Sequence, residues 1–352
     1  MQTFWVLPSL DESRHHAMST AGTDSPTRHP YWRQVALAAE QLGFDGIKLP
    51  AGRSCEDALV IGAALSLISK ELQLMVGVRP AVLGPVVCAR MASTLHQVSN
   101  SRLLLHLVSD LRGDPADTRQ LSALFNQIPE ISEDYVRLWL TGYLAELARL
   151  QNEEHAPDPR YGHLHPLRNP GPPILCGGVS NAAAQLSSDH ADLHIMSARS
   201  PAEIAQQMRK VRQLASRDRR EVRFAVRTHI VVRETESDAH KAARAMLHHS
   251  AKVTALKSRR IRIDQLAISQ NLWRAQHLNR DGTDALLLGD APSLAARLRE
   301  FSSLGVDTLI LSSYPHMDEM RRVAHFVLPL IRRNVTGDPL WTRDLNPPVR
   351  VA

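Results

Sequence analysis

Short apolar runs alternate with longer stretches of helical period along most of the chain. The first run is Thr3-Phe-Trp-Val-Leu-Pro8; after a polar segment, helix-spaced apolar positions extend from Trp32 to Leu42 and stop at Gly43. Gly46-Ile-Lys-Leu-Pro50 then precedes a helical stretch from Cys55 to Ser69. Gln73-Leu-Met-Val-Gly-Val-Arg79 precedes one from Pro85 to Val98, and Leu103-Leu-Leu-His-Leu-Val108 follows. Beyond a long middle section come Pro173-Ile-Leu-Cys176, a helix opening at Asn181, and Leu193-His-Ile-Met196. Arg223 to Arg233 alternates as a strand, and Thr308-Leu-Ile-Leu-Ser-Ser313 closes the series.

Eight strand candidates separated by helices predict a parallel sheet, because parallel neighbours need crossover connections. Eight such units suit a closed α/β barrel of the (β/α)8, TIM type better than an open doubly wound sheet. Neither a G-x-G-x-x-G turn after the first strand nor a P-loop pattern is present, which removes the phosphate fingerprints of the open folds. In a barrel the chemistry belongs at the C-terminal ends of the strands. The notable polar residues fall there: Ser54, Cys55 and Glu56 after strand two, Arg79 at the end of strand three, and Ser109 and Asp110 after strand four. Gly177, Gly178 and Ser180 follow strand five, Arg227 and His229 lie in strand seven, and Tyr314 and His316 follow the last strand.

Composition narrows the picture further. The 352 residues, 43% hydrophobic and 22% charged, can bury a large core without staples. Three cysteines (Cys55, Cys88, Cys176) are too few and scattered for a disulfide scaffold or zinc cage, so a cytoplasmic setting is expected. No apolar run is long enough for a membrane helix, and the N-terminus lacks the basic and apolar regions of a signal peptide. The net charge of +6 raises the question of nucleic acid. Its densest cluster, Arg209 to Arg220, follows an amphipathic helical pattern, and no aromatic platforms interleave it, so it reads as a solvated helix face. Neither nucleic acid nor membrane is therefore expected as a partner. The pairs His15-His16, His163/His165 and His248-His249 lack carboxylate or cysteine ligands at metal spacing, so no metal site is expected.

Arg227 and His229, two residues apart, share one face of their strand, and a buried cation there costs free energy unless it is used. Arg227 and Arg280 offer paired donors to an oxyanion, and His229 and His316 can exchange protons near neutral pH. Tyr314 can donate a hydrogen bond to a developing oxyanion, and the Gly177-Gly178-Val-Ser180 turn can present backbone N–H groups to a phosphate. Simpler readings stand beside these. Cys55 is equally a small packing residue, Arg280 lies in the turn-like Asn279-Arg-Asp-Gly282, and Tyr314-Pro315 can be a strand-to-helix turn.

Taken in order, Thr3 to Pro8, Gly52-Arg-Ser-Cys-Glu-Asp57, Arg227-Thr-His-Ile-Val-Val-Arg-Glu-Thr235 and Ser313-Tyr-Pro-His316 resemble the FMN-dependent alkanesulfonate monooxygenases of the bacterial luciferase-like flavin family. Leu42-Gly-Phe-Asp-Gly46, Val78-Arg-Pro80, Gly177-Gly-Val-Ser180, Asn271-Leu-Trp273 and Leu288-Gly-Asp290 support the likeness, which runs from residue 3 to about residue 330. The resemblance implies a luciferase-like barrel binding reduced FMN supplied by a separate NAD(P)H-dependent flavin reductase. It implies oxygenation of a small organosulfonate or related anion through a peroxyflavin, releasing sulfite and an aldehyde, and a homo-oligomeric enzyme. By the same resemblance Cys55, Arg227, His229, Arg280, Tyr314 and His316 are the catalytic positions, and Ser109, Tyr135, Gly177, Gly178 and Ser180 the cofactor contacts.

The chain also departs from that pattern. Leu10 stands where the family carries a histidine. Val108-Ser-Asp-Leu replaces a Thr-Gly-Ser/Asn turn, and Ser132-Glu-Asp-Tyr-Val136 replaces Ser-Glu-Arg-Tyr-Glu. Ser197 replaces a tryptophan, and the lid between the last two barrel strands is shortened. The expected organisation is one barrel over residues 1–335, with variable segments at 110–131, 152–172 and 251–282 and a tail at 336–352. The alternative function is a repurposed barrel that binds a ligand or partner without oxygenating it.

Overall fold

The computed structural model describes residues 1–8, 29–51, 55–108, 133–151, 171–253, 267–274 and 285–332. Seven parallel strands are laid down in chain order: β1 (Gln2–Val6), β2 (Gly46–Leu49), β3 (Gln73–Val78), β4 (Leu103–Leu107), β5 (Ile174–Gly177), β6 (Leu193–Ser197) and β7 (Arg223–Arg233). Three further strands follow, β8 (Ala267–Ser269), β9 (Leu272–Arg274) and β10 (Ala285–Asp290), before β11 (Thr308–Ser312). The last strand pairs in parallel with β7 on one side and with β1 on the other, closing an eight-stranded barrel. The expected (β/α)8 fold is the observed one, and all eight strand candidates are its staves.

The three additional strands were not anticipated. The 11-residue β7 outruns the barrel: its first half pairs with β6 and β11, and its second half, His229 to Arg233, pairs with β10. Antiparallel β9 and β8 extend that upper sheet. Its inner face carries a separate small core in which Val231, Trp273, Leu286 and Leu288 pack against Ala239 and Ala243. Those two alanines belong to the long helix that follows β7. The expected lid shortening and the segments 110–131, 152–170 and 275–282 lie outside the described residues, as does the tail.

Helices cover the barrel: α1 (His29–Gln41), α2 (Ala58–Ser66), α3 (Pro85–Val98), α4 (Glu133–Gln151), α5 (Asn181–His190), α6 (Pro201–Ala215), α7 (Glu236–Val253) and α8 (Ala291–Ser303). The short α9 (His316–Arg322) and α10 (Leu328–Arg332) are joined by a π-helical turn. Their starts are chemically marked. Asp57 accepts from Val60 N at 2.9 Å, Asp290 from Ser293 N at 2.8 Å, and Ser200 forms a capping box with Glu203. In α6, Ile204, Met208, Val211 and Ala215 face inward while Arg209 and Arg212 are exposed, so the helical part of the densest basic cluster is surface as its periodicity predicted; Arg217, Arg219 and Arg220 follow in the turn after it. Cys88 is buried in α3, where loss of hydration pushes its thiol up to about 12. No described helix is long and apolar enough to cross a membrane.

At the N-terminal ends of the strands one device recurs three times. An aspartate just before a strand accepts a backbone N–H from the strand beside it. Asp45 takes Thr3 N at 2.8 Å, Asp192 takes Ile174 N at 2.8 Å, and Asp307 takes Phe224 N at 3.1 Å. These N–H groups stand where the ladder begins, and an unmet buried donor costs about 1–3 kcal/mol. At the first of these sites Arg332 adds bonds to Thr3 Oγ1 (3.0 Å) and Asp45 Oδ2 (3.1 Å), tying α10 to β1.

Three buried imidazoles give the fold an acid limit. Burial, the largest cause, strips water from the imidazolium: it pushes His96 and His194 down to about 4 and His106 well below its usual value. In the unfolded chain each takes up a proton near pH 6.5, which the native state refuses. Stability is therefore full above that pH and falls as pH drops below it, by up to about 1.4 kcal/mol per pH unit per imidazole. Urea unfolding at pH 7.5 and pH 5 should show the loss, and His194→Asn should give a shallower dependence. An equally steep fall in that variant would mean that other groups set the acid limit.

Candidate functional site

Alternation along the strands decides what faces the barrel interior. Phe4 and Val6 of β1 meet Met75, Leu104, Leu175, Leu193, Ile195, Ala225 and Ile310 in one internal cluster. Trp5, Leu74, Leu105, Cys176 and Leu309, from the alternate positions, belong to the layer beneath the helices. The inward series therefore continues, towards the C-terminal ends, through Lys48 on β2, His106 on β4, Ser197 on β6, Arg227 and His229 on β7 and Ser312 on β11. At mid-height the lumen is apolar; below that layer Gln2, Gln73, Arg223 and Thr308 share the inward parity, and above it the lumen is polar and carries cations.

These upper residues are held firmly. His229 is 5% exposed, stands level with Ser312, and its Nδ1 pairs with Ser312 Oγ at 2.9 Å. Lys48 and His106 are also buried, whereas Arg227 and Ser197 are half-buried. Burial first, and then the positive charges of Lys48 and Arg227, keep the His106 ring neutral. Its Nδ1 makes no hydrogen bond among the described residues. Two inward glycines leave no room for a side chain: at the lower end a Cβ on Gly46 would lie 2.3 Å from the Phe4 ring, and at the upper end one on Gly177 2.7 Å from Ile195 O.

The remaining sequence candidates occupy several places around this mouth. Gly177, Gly178 and Ser180 form the turn from β5 into α5. Gly178 has φ +138°, and a Cβ there would strike Ala183 Cβ at 2.8 Å. Ser180 caps α5 by accepting from Ala183 N at 3.0 Å. Gln207 braces the turn from outside, donating to Gly178 O at 2.5 Å and pairing with His194 Nε2 at 3.0 Å, while His194 Nδ1 pairs with Ser187 Oγ at 2.7 Å. Tyr135, in the first turn of α4, donates to Pro80 O at 3.3 Å across the end of β3. Cys55 is half-buried and lines, with Trp32, Leu49, Pro50 and Glu56, a small open recess between the tops of β1 and β2 and the helices α1 and α2.

Tyr314 is half-buried after β11. His316 is buried and stands edge-on against Trp5, ring centroids 6.4 Å apart, at the start of α9. Ser109 and Arg280 lie outside the described residues. Lys48 and His106 were missed at the sequence level. The usable signal was a lone polar residue of inward parity inside an otherwise apolar strand. Among the described residues no group of three or more His, Cys, Asp or Glu is disposed to hold a metal ion.

One buried ion pair fixes the segment that carries Tyr314. Arg233, at the end of β7, donates to both carboxylate oxygens of Glu319 in α9, at 3.0 and 2.6 Å, and Glu319 is 1% exposed. Burial raises the Glu319 carboxyl despite the arginine. Arg233→Ala leaves that carboxylate buried without its fork, at a cost of about 3–5 kcal/mol. The double change Arg233→Met with Glu319→Leu should recover most of the loss. Thermal or urea denaturation of the three variants measures both, and no recovery in the double variant would show that the pair is needed for more than charge balance.

A closed parallel barrel whose cationic, imidazole-bearing mouth opens at the C-terminal strand ends defines an enzyme of the TIM-barrel class. The chain matches the luciferase-like monooxygenase family over residues 1–308 and belongs to it. Solved structures agree on the fold. A riboflavin lyase determined with modified FMN and riboflavin superposes with a TM-score of 0.68 at 15% identity, over 94% of this chain and 91% of that one. EDTA monooxygenase from Chelativorans sp. BNC1 gives 0.67 at 15%, over 94% and 93%. A coenzyme F420-dependent tetrahydromethanopterin reductase from Methanopyrus kandleri gives 0.64 at 13%, over 93% and 98%.

Proposed function

We propose that this luciferase-like enzyme is a reduced-FMN-dependent monooxygenase of a small anionic substrate, with an organosulfonate as the class its motifs imply. The observation that carries the reading is the pair Arg227 and His229, side by side on β7 above the apolar middle of the lumen, with the His229 ring fixed by Ser312. The substrate anion belongs on Arg227, whose guanidinium offers charge and two parallel donors. His229 is placed to hold or pass a proton beside it, and Tyr314 to donate a hydrogen bond from the neighbouring strand end.

The residues present fit a flavin phosphate at the β5–α5 turn. A side chain on Gly178 would collide with α5, so backbone N–H groups are what this turn can offer, at the start of a ten-residue helix. Gly177, Gly178 and Ser180 would hold the phosphate side of the cofactor, with Tyr135 and Ser109 contributing from the neighbouring crossovers. When bound, reduced FMN would supply the two electrons that activate dioxygen. A flavin reductase using NAD(P)H is the partner that delivers it. Cys55 and Arg280 remain candidates for lining the substrate side, and His316 for a supporting role behind β1. EDTA monooxygenase, a structural neighbour named for a polycarboxylate, and riboflavin lyase, solved with an FMN derivative, are consistent with an anion and with FMN.

Anaerobic titration of the full chain with reduced FMN tests the reading. Micromolar binding is expected, followed by sulfite release in air when a reductase and a short alkanesulfonate are supplied. Failure to bind reduced FMN, or binding of reduced F420 in its place, overturns it. Loss of a hydrogen-bonded charge is worth about 1.5–3 kcal/mol, so Arg227→Ala should raise KM for the anionic substrate by about ten- to a hundredfold. Reduced-FMN affinity should change by less than about threefold. An unchanged KM removes Arg227 from the anion site.

A further inference from the structure

The reading above gives the cofactor phosphate to the turn from β5 into α5, but names nothing that aims the N–H groups of that turn. The Gly178–Val179 peptide is trans, since Tyr314–Pro315 is the only cis bond among the described residues. In a trans peptide the C=O and the following N–H point in opposite directions. Where Gly178 O points therefore decides where Val179 N–H points.

Gly178 O is turned into the helix layer. It accepts from Gln207 Nε2 of α6 at 2.5 Å, and the same nitrogen pairs with His194 Nε2 at 3.0 Å. His194 stands on β6 between Leu193 and Ile195, both lumen residues, so its fully buried ring lies on the opposite, helix-facing side. Val179 N–H is thus directed away from α6, on the mouth side of the turn. Neither it nor the N–H groups of Asn181 and Ala182 meets an acceptor among the described residues. Gly178 N–H, by contrast, is used: it donates to Ile195 O at 3.3 Å.

The brace has one consistent set of protons. A carbonyl only accepts, so the amide nitrogen of Gln207 faces Gly178 O, and its second N–H meets an unprotonated His194 Nε2. The ring proton then sits on Nδ1 and donates to Ser187 Oγ at 2.7 Å. Burial pushes His194 down to about 4, so the ring keeps this neutral form at neutral pH. A second observation points to an anion at the same edge. Lys210, one turn beyond Gln207 on α6 and half-buried, donates to Asn181 Oδ1 in the first turn of α5. It has no carboxylate partner among the described residues, so its charge stands uncompensated beside the open N–H groups.

We infer that Gln207, held in place by His194, is a positioning residue for the cofactor phosphate: it turns the Gly178–Val179 peptide so that Val179 N–H, with those of Asn181 and Ala182, faces a phosphomonoester. The inference rests on the reading of the β5–α5 turn as the phosphate seat. It assigns a residue of the helix layer, which touches no flavin, to the selection of FMN over riboflavin.

Anaerobic titration of the full chain with reduced FMN and with reduced riboflavin, which lacks only the phosphate, reads this directly. Wild type should bind FMN at least about tenfold more tightly, and Gln207→Met should cut FMN affinity at least about fivefold, because hydrogen bonds to a charged group are misaimed. Riboflavin affinity should move by less than about twofold, since it has no group at the turn. His194→Phe, which removes the acceptor that holds Gln207, should lower the FMN preference in the same direction but by less; an unchanged preference removes His194 from the role. Gln207→Leu serves as a second variant should the methionine change impair folding. A brace needed only for folding would weaken both flavins together, and that parallel fall, or an undiminished FMN preference, overturns the proposal. Inorganic phosphate, followed by phosphorus NMR line broadening, separates the role from the monooxygenase reading. A chain that takes no reduced flavin, yet binds phosphate at least about fivefold more weakly as Gln207→Met, sinks that reading and leaves the positioning role standing. In such a chain, phosphate binding that is absent, or equal in wild type and variant, overturns the role as well.

Discussion

In a closed barrel of eight parallel strands every second residue points into a space a few side chains wide, and no edge exists through which the ladder can shift to relieve a misfit. That constraint governs this molecule. It explains why Gly46 and Gly177 cannot carry a Cβ, and why Phe4, Met75, Leu104, Ile195 and Ile310 fill one continuous apolar floor. It also explains why a polar side chain above that floor is tolerated only with defined company, as His229 has in Ser312. Once β11 has joined β7 to β1, the parity of each residue fixes whether it can meet substrate.

The two ends of the barrel divide their tasks accordingly. At the N-terminal end, Asp45, Asp192 and Asp307 each close one ladder by accepting a backbone N–H, and Arg332 draws the last helix onto the first strand. These contacts serve the fold. At the C-terminal end the side chains are cations and imidazoles, and the braces sit outside the lumen: Gln207 with His194 behind the Gly178 turn, and Glu319 with Arg233 behind the Tyr314 segment.

Much of the architecture could be read from the chain because alternation and helical period are local signals. The strand Arg223–Arg233 and the helix opening at Asn181 appear where the pattern placed them. The strands β8 and β9 escaped because three residues are too few to show a period, and the apolar run Ala285–Leu288 has no alternation to distinguish it. At the site, Arg227 and His229 were legible as a two-residue repeat in a strand. Lys48 and His106 were not, since each is a single polar residue in an apolar run, and only closure of the ring shows that both enter the lumen. For His316 the ring contact with Trp5 could not be read from the chain, because the direction of a first-turn side chain depends on how the helix is rotated. Parity arguments do not reach that.

The length of β7 carries one more consequence. Its residues up to His229 belong to the barrel and those beyond to the upper sheet, and His229 is paired at the hand-over with both Ser312 and Leu286. The strand is therefore a spliced beam: everything between its far end and β10 can be lengthened, trimmed or exchanged while the barrel register below stays clamped. The upper sheet is a natural graft junction, where new specificity can be tried at little risk to the staves that hold Arg227 and His229 in place.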